Sequence, residues 1–242
     1  MFAKMDYIIL MFAGLLALSS GASIPISKCK VGDSACLKQS AQALVPILAV
    51  GIPEIGAKSL DPLHIPLIDA SGSDVKLHTT KLVVTGMKGC TIPDASHIHD
   101  ATKHTLSVDV LCDVDVQAQY DMVGKIIILP VDGHSHLSIQ LYQILISWKA
   151  NVKDVVRDGK TYWNVDDWDF SWILKDHADI ELTDLFRGSP VITKAVKEIM
   201  DQSANEIIKL FGPPIVKAIT TEVVDSIKHL FNSIPAEDLV LN

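Results

Sequence analysis

Residues 189–234 read SPVITKAVKEIMDQSANEIIKLFGPPIVKAITTEVVDSIKHLFNSI. Ser189-Pro190 is a helix start: a capping side chain, then a proline at the first helical position, where its missing N–H costs nothing. Apolar residues follow at Ile192, Val196, Ile199, Ala204, Ile207, Leu210 and Phe211, the spacing of one helix face. Gly212-Pro213-Pro214 interrupts the run, because an interior proline removes a backbone donor and clashes with the preceding turn. The pattern resumes at Val216, Ile219, Val223, Ile227, Leu230 and Phe231. The expectation is a long C-terminal helical rod kinked at Gly212-Pro214, two collinear or kinked helices of roughly 30 Å each at 1.5 Å per residue. Lys197, Glu198, Asp201, Lys209, Lys217, Glu222, Asp225 and Lys228 stay off the stripe. So long a stripe needs a long partner surface.

The middle of the chain supplies one. From Ile65 to about Lys175 the period is two. Val75, Leu77, Leu82 and Val84 suggest a first hairpin turning through Asp69–Asp74. Val108, Val110, Cys112, Val114 and Val116 face one way, and Asp109, Asp113 and Asp115 the other, so one face is buried and one wet. Gly124 to Leu129 is an apolar run stopped by Pro130. Tyr142, Ile144, Ile146, Trp148, Ala150 and Val152 alternate with polar residues, Arg157-Asp158-Gly159-Lys160 turns the chain, and Trp168, Phe170 and Trp172 share the next face. Strands without intervening helices make an antiparallel sheet of hairpins. Before them, Asp33 or Ser34 caps a helix through Leu37, Ala41, Leu44, Val45 and Leu48, with Pro46 inside it and Gly51 at its end. The fold class is therefore α+β, and the simplest packing wraps a curved antiparallel sheet around the C-terminal rod.

The chain has 242 residues, 48% of them hydrophobic, and a net charge of −8. Without a basic cluster, nucleic acid and anionic membranes are not expected as main partners, and stable membrane insertion is not expected because no apolar run after the first is long enough to span. Lys4, the apolar run Ile8–Leu18 and the small residues Ser19 to Ala22 have the layout of a secretory signal peptide. Residues 1–22 are read as that leader and 23–242 as one domain, secreted and extracellular. No later run reaches the length of a membrane span.

The four cysteines, Cys29, Cys36, Cys90 and Cys112, allow three pairings. Cys29 and Cys36 are close enough in sequence to close a small local loop. A hairpin centred near residue 101 would set Cys90 opposite Cys112. Two buried thiols are the alternative for that second pair.

Several short stretches carry a resemblance. They are Cys29-x6-Cys36-Leu37, Gly51-Ile52-Pro53-Glu54-Ile55-Gly56, Leu60-Asp61-Pro62-Leu63, and Tyr120-x3-Gly124-Lys125-Ile126-Ile127-Ile128-Leu129-Pro130. Leu185-Phe186-x-Gly188 and Phe231-x2-Ile234-Pro235-x2-Asp238-Leu239 complete the set. In this order they resemble the insect takeout and juvenile-hormone-binding protein family over nearly the whole mature chain. The resemblance implies a long helix wrapped by a strongly curved antiparallel sheet enclosing an apolar tunnel. It implies a secreted carrier of juvenile hormone, a fatty acid or a similar lipid, and a shared disulfide that falls on Cys29 and Cys36. With no cysteine beyond Cys112, the chain is more similar to the takeout branch.

Alternation alone nominates the tunnel lining: Val110, Val114, Ile126, Ile128, Tyr142, Ile146, Trp148, Phe170, Ile219, Val223 and Ile227. A polar group such as Tyr142 or a tryptophan N–H would orient the ligand. The expected partner is a small hydrophobic molecule bound by a monomer. His97-x-His99 and His134-x-His136 could each supply half of a zinc site, with Asp94, Asp100 or His104 added. Solvated turn histidines are the reading preferred. Gly32-Asp33-Ser34 lies in the small cysteine loop, and no Gly-x-Ser-x-Gly elbow occurs. Asp166, Asp167 and Asp169 read as an exposed strand edge. No catalytic residue, metal ligand or cofactor is assigned, so an enzyme is not expected. A filled-core interaction protein and a small secreted esterase are the alternatives.

Overall fold

The computed structural model describes residue 24 and residues 26–100, 103–126, 129–184, 197–198 and 200–241, the side chains of Ile126 and Leu129 excepted. The expected leader segment, the expected helix start at Ser189-Pro190 and Ile128 lie outside them. Strand β1 (Cys29–Lys30) leads into helix α1 (Ser34–Val50). Asp33 caps that helix, its carboxylate accepting from the Cys36 N–H at 3.0 Å. Strands β2 (Leu63–Asp69), β3 (Val75–Thr85), β4 (Thr91–Asp100), β5 (Lys103–Ile126), β6 (Leu129–Arg157), β7 (Lys160–Leu174) and β8 (Ala178–Leu182) follow. Helix α2 (Ala204–Ser233) and strand β9 (Val240–Leu241) complete the order, with β9 parallel to β1.

The spine is the β5–β6 hairpin, paired from His104↔Val152 to Ile126↔Leu129. Strands of 24 and 29 residues would stretch roughly 80 and 95 Å if straight. Each serves two lobes of one antiparallel sheet. The first half of β5 pairs with β4 and its second half with β3, while β6 pairs first with β8 and then with β7. The β6–β7 turn places Asp158 and Gly159 at φ +51° and +75°, the left-handed pair that suits a two-residue hairpin.

Two register shifts shape the concave face. Cys112 pairs with Ile144 but Val114 with Leu141, so β6 carries an extra residue there, and Gln143 sits at φ +56°. The Gln143 N–H donates to the Asp113 carboxylate at 2.7 Å. Between β6 and β7 the extra residue is Asp166.

Helix α2 differs from the sequence expectation. It runs unbroken through Gly212-Pro213-Pro214, and the helical boundary falls at Ser203 instead. The two prolines deprive the carbonyls of Lys209 and Leu210 of their partners. Both residues are exposed, so water can serve those carbonyls. Ile208, Phe211, Ile215 and Val216 on either side are buried in the core, and that packing outweighs the local rule. Gly212 faces Trp172, whose ring would lie 3.2 Å from a Cβ placed there.

Disulfides join Cys29 to Cys36 and Cys90 to Cys112. The second continues the β4–β5 register one step beyond Thr91↔Leu111.

Candidate functional site

Between the concave sheet face and the two helices lies a cavity of about 310 Å³. That is within the range of small-molecule pockets and twice the volume that holds a benzene in a dry protein core. Its walls are the apolar stripes of three elements. β5 gives Val108, Val110, Val114 and Val116, β6 gives Ile139, Leu141, Ile144, Ile146 and Trp148, and α2 gives Ile215, Ile219, Val223 and Ile227. Helix α1 closes a further side with Leu37, Ala41, Leu44, Val45 and Leu48. The Cys90–Cys112 bridge is part of the wall. Polar side chains on the lining are few: Ser27, Lys30, Ser40, His97 and Thr220. Lys30 is exposed, which places that part of the wall near the surface.

Of the nominated residues, Val110, Val114, Ile146, Trp148, Ile219, Val223 and Ile227 line this cavity. Tyr142 does not. The extra residue at Gln143 puts Leu141 on the inner face and turns Tyr142 outward, where it stacks on His177 at 4.4 Å and donates to Gln140 at 2.8 Å. Phe170 is also off the wall. It packs on the core beside Trp168, on the flank where β7 meets α2. The nominated Ile128 lies outside the described residues, and so does the Ile126 side chain.

The α1 stripe was legible as a helix face but had no assigned partner; the cavity is that partner. The histidines are the larger omission. His97 and His104 are not turn residues but are buried, at 5% and 8% exposure. His97 Nε2 and His104 Nδ1 are 2.8 Å apart. His99 stacks on His104 at 4.0 Å, and Trp163 packs against both partners at 5.3 and 5.0 Å. The Asp154 carboxylate stands 3.6 Å from His104 Nε2. Burial pushes the His97 imidazole down to about 4, helped by the nearby His104 and His99 rings. Burial and His99 also lower His104, while Asp154 pulls it back. Both rings are thus neutral near pH 7. The Trp148 indole N–H is buried without a partner among the described residues.

Elsewhere, Tyr120 is almost fully buried and its hydroxyl donates to the Thr183 carbonyl. Burial, then the Asp184 charge, push it up to about 12, so it stays a neutral strut. His134 and His136 are exposed strand residues. Among the described residues, no three His, Cys, Asp or Glu side chains are arranged to hold a metal ion. Asp166, Asp167 and Asp169 are exposed on β7, with Asp166 paired to Lys153 at 2.7 Å. Ser34 opens α1, a place that builds no nucleophile elbow. No helix among the described residues is long and apolar enough to cross a membrane.

This architecture has counterparts. The crystal structure of Epiphyas postvittana Takeout 1 matches with a TM-score of 0.84 at 24% identity, covering 90% of this chain and 100% of that one. In sequence, the circadian clock-controlled protein daywake of Drosophila melanogaster is 26% identical over 239 residues, 91% of this chain and 88% of that protein. Daywake of Drosophila yakuba is 25% identical over 236 residues, with the same coverage. The family model described as haemolymph juvenile hormone binding protein matches residues 8–241. With nearly its whole length so matched, and with a sheet-and-helix frame shared with a takeout structure, the chain belongs to the haemolymph juvenile hormone binding protein family.

Proposed function

We propose that this protein is a secreted carrier that shields one small hydrophobic molecule (juvenile hormone, a fatty acid or a similar lipid) in its internal cavity, without making or breaking a bond. The observation that carries the reading is the space itself, about 310 Å³ with an almost wholly apolar wall. Unfilled space is costly, at about 24 cal/mol per Å³ in truncated cores. A guest that fills it gains about 0.8 kcal/mol per buried methylene. Residues 1–22 serve as a cleaved leader and 23–242 as the single domain. Two disulfides suit the oxidising compartment to which such a leader delivers a chain. No cavity serine is hydrogen-bonded to a histidine among the described residues, which favours a carrier over an esterase.

Native mass spectrometry of protein purified from its tissue, followed by extraction and identification of the retained molecule, tests the proposal. A bound lipid is the expected result. Protein that carries none and takes up none when offered overturns it. Turnover of simple esters that a single Ser→Ala change abolishes would replace it with an enzyme.

A further inference from the structure

The carrier reading leaves open what the polar end of the guest must be, and the buried histidine pair addresses that. We propose that Nδ1 of His97 is the polar subsite of the cavity. A relay from Asp154 through His104 holds it as a hydrogen-bond acceptor, so the guest selected is a long-chain lipid that ends in a hydroxyl group. This rests on the carrier reading and narrows it.

A neutral imidazole has one N–H and one bare nitrogen. Asp154 lies 3.6 Å from His104 Nε2, and a carboxylate beside a bare nitrogen would set lone pair against negative charge. The His104 proton therefore belongs on Nε2, which leaves its Nδ1 bare. The atom 2.8 Å from that bare nitrogen is His97 Nε2, which must supply the N–H. His97 then has its lone pair on Nδ1.

Among the described residues nothing donates to that nitrogen. His97 is on the cavity wall, and its backbone carbonyl accepts from the Gly32 N–H, within the Cys29–Cys36 loop. Burial against the Trp163 ring on β7 and apolar neighbours such as Leu106, with His104 on β5 and His99 on β4 close by, keeps the ring uncharged, while Asp154 on β6 faces His104 and pulls the other way. Burial, which holds the ring down to about 4, keeps it from becoming a two-nitrogen donor near pH 7.

An acceptor nitrogen on a buried ring loses its water when a guest enters, which is costly unless the guest supplies a donor, and a hydroxyl supplies one. An ether, ester or epoxide brings only lone pairs, which suit the Trp148 indole N–H on the same wall, unpartnered among the described residues, but not the bare nitrogen of His97, whereas a hydroxyl can serve both. A fatty acid ionised at neutral pH brings lone pairs and a charge.

Two isomeric probes separate these cases, 1-dodecanol and 1-methoxyundecane, each titrated into the recombinant full chain at pH 7. The alcohol should bind about tenfold more tightly than the ether, the size of one net hydrogen bond. His97→Leu should remove the difference while leaving ether binding in place. Asp154→Ala, at an exposed position that does not threaten folding, should shrink the difference by releasing the tautomer. Histidine ¹⁵N spectra of the unsubstituted protein should show Nε2 of His97 protonated and Nδ1 bare. Equal affinity for the two probes, or a protonated Nδ1, overturns the proposal and leaves the carrier reading intact. Failure of both probes and of dodecane to bind overturns both.

Discussion

Enlarging a wall residue gives the sharpest test of whether the interior is hollow. Val110 lies on the cavity wall, paired across the sheet with Ile146, which lies there too. Val110→Phe adds four carbons. At roughly 30 Å³ for each methylene-sized group, the share of one water in the liquid, they occupy about 120 Å³. That is more than a third of the 310 Å³ present. A guest that loses room for four methylenes forfeits about 3 kcal/mol, which weakens binding by roughly 200-fold. The same filling removes void, so the empty protein should gain up to about 3 kcal/mol. The two effects have opposite signs, and that is the diagnostic. Urea unfolding of delipidated protein and displacement of a hydrophobic fluorescent probe by 1-dodecanol measure them separately. In a solid core the added ring would overpack and cost about 1–3 kcal/mol. A destabilised variant with undiminished affinity would refute the reasoning.

Three other expectations are more local. Cys90→Ser with Cys112→Ser opens a closure of 22 residues, which should lower the unfolding free energy by about 3 kcal/mol in the chain-entropy account; denaturant titration measures it, and an unchanged midpoint would contradict it. The histidine pair should make stability depend on pH. With the folded value of His97 near 4 against an ordinary 6.5, the unfolded chain binds more protons between those limits. Stability is therefore full above about 6.5 and declines toward pH 4, with a slope of up to about 1.4 kcal/mol per pH unit for each such histidine. Melting curves of the protein and of His97→Leu should diverge in that window. Gly86 has φ +100°, and a Cβ there would sit 2.5 Å from the Asp113 carbonyl oxygen. Gly86→Ala should then cost at least about 1–3 kcal/mol by thermal unfolding.

Much of this architecture is written in periodicity, and the exceptions have identifiable causes. Ile219, Val223 and Ile227 on α2, and Val110 and Val114 on β5, reach the wall because spacing alone decides their face. Tyr142 fails because β6 contains an extra residue, and Gln143 gives no glycine to warn of it. Phe170 fails for another reason: alternation names a face but not what that face meets, and on β7 it meets a helix. The proline pair misleads because a local rule is overridden by the buried residues around it. The His97–His104 pair could not be placed from the hairpin centre alone. The centre that sets Cys90 against Cys112 would set His99 against Lys103, and the one-residue register shift between Thr91 and Asp94 is what brings His99 opposite His104 and His97 alongside.

The continuity of β5 and β6 through both lobes bears on how the proposed guest would be exchanged. A clamshell carrier opens at a crossing point where its strands end and the chain can swivel. Here two strands run past that point, bonded to each other on both sides of the one-residue bulge at Gln143. The sheet cannot part there without tearing its own ladder. On the carrier reading, a guest would enter and leave past the pieces that are not part of the sheet, and α1, tethered by the Cys29–Cys36 clasp at one end and by the Gly51 turn at the other, is the one that covers the hollow from outside it.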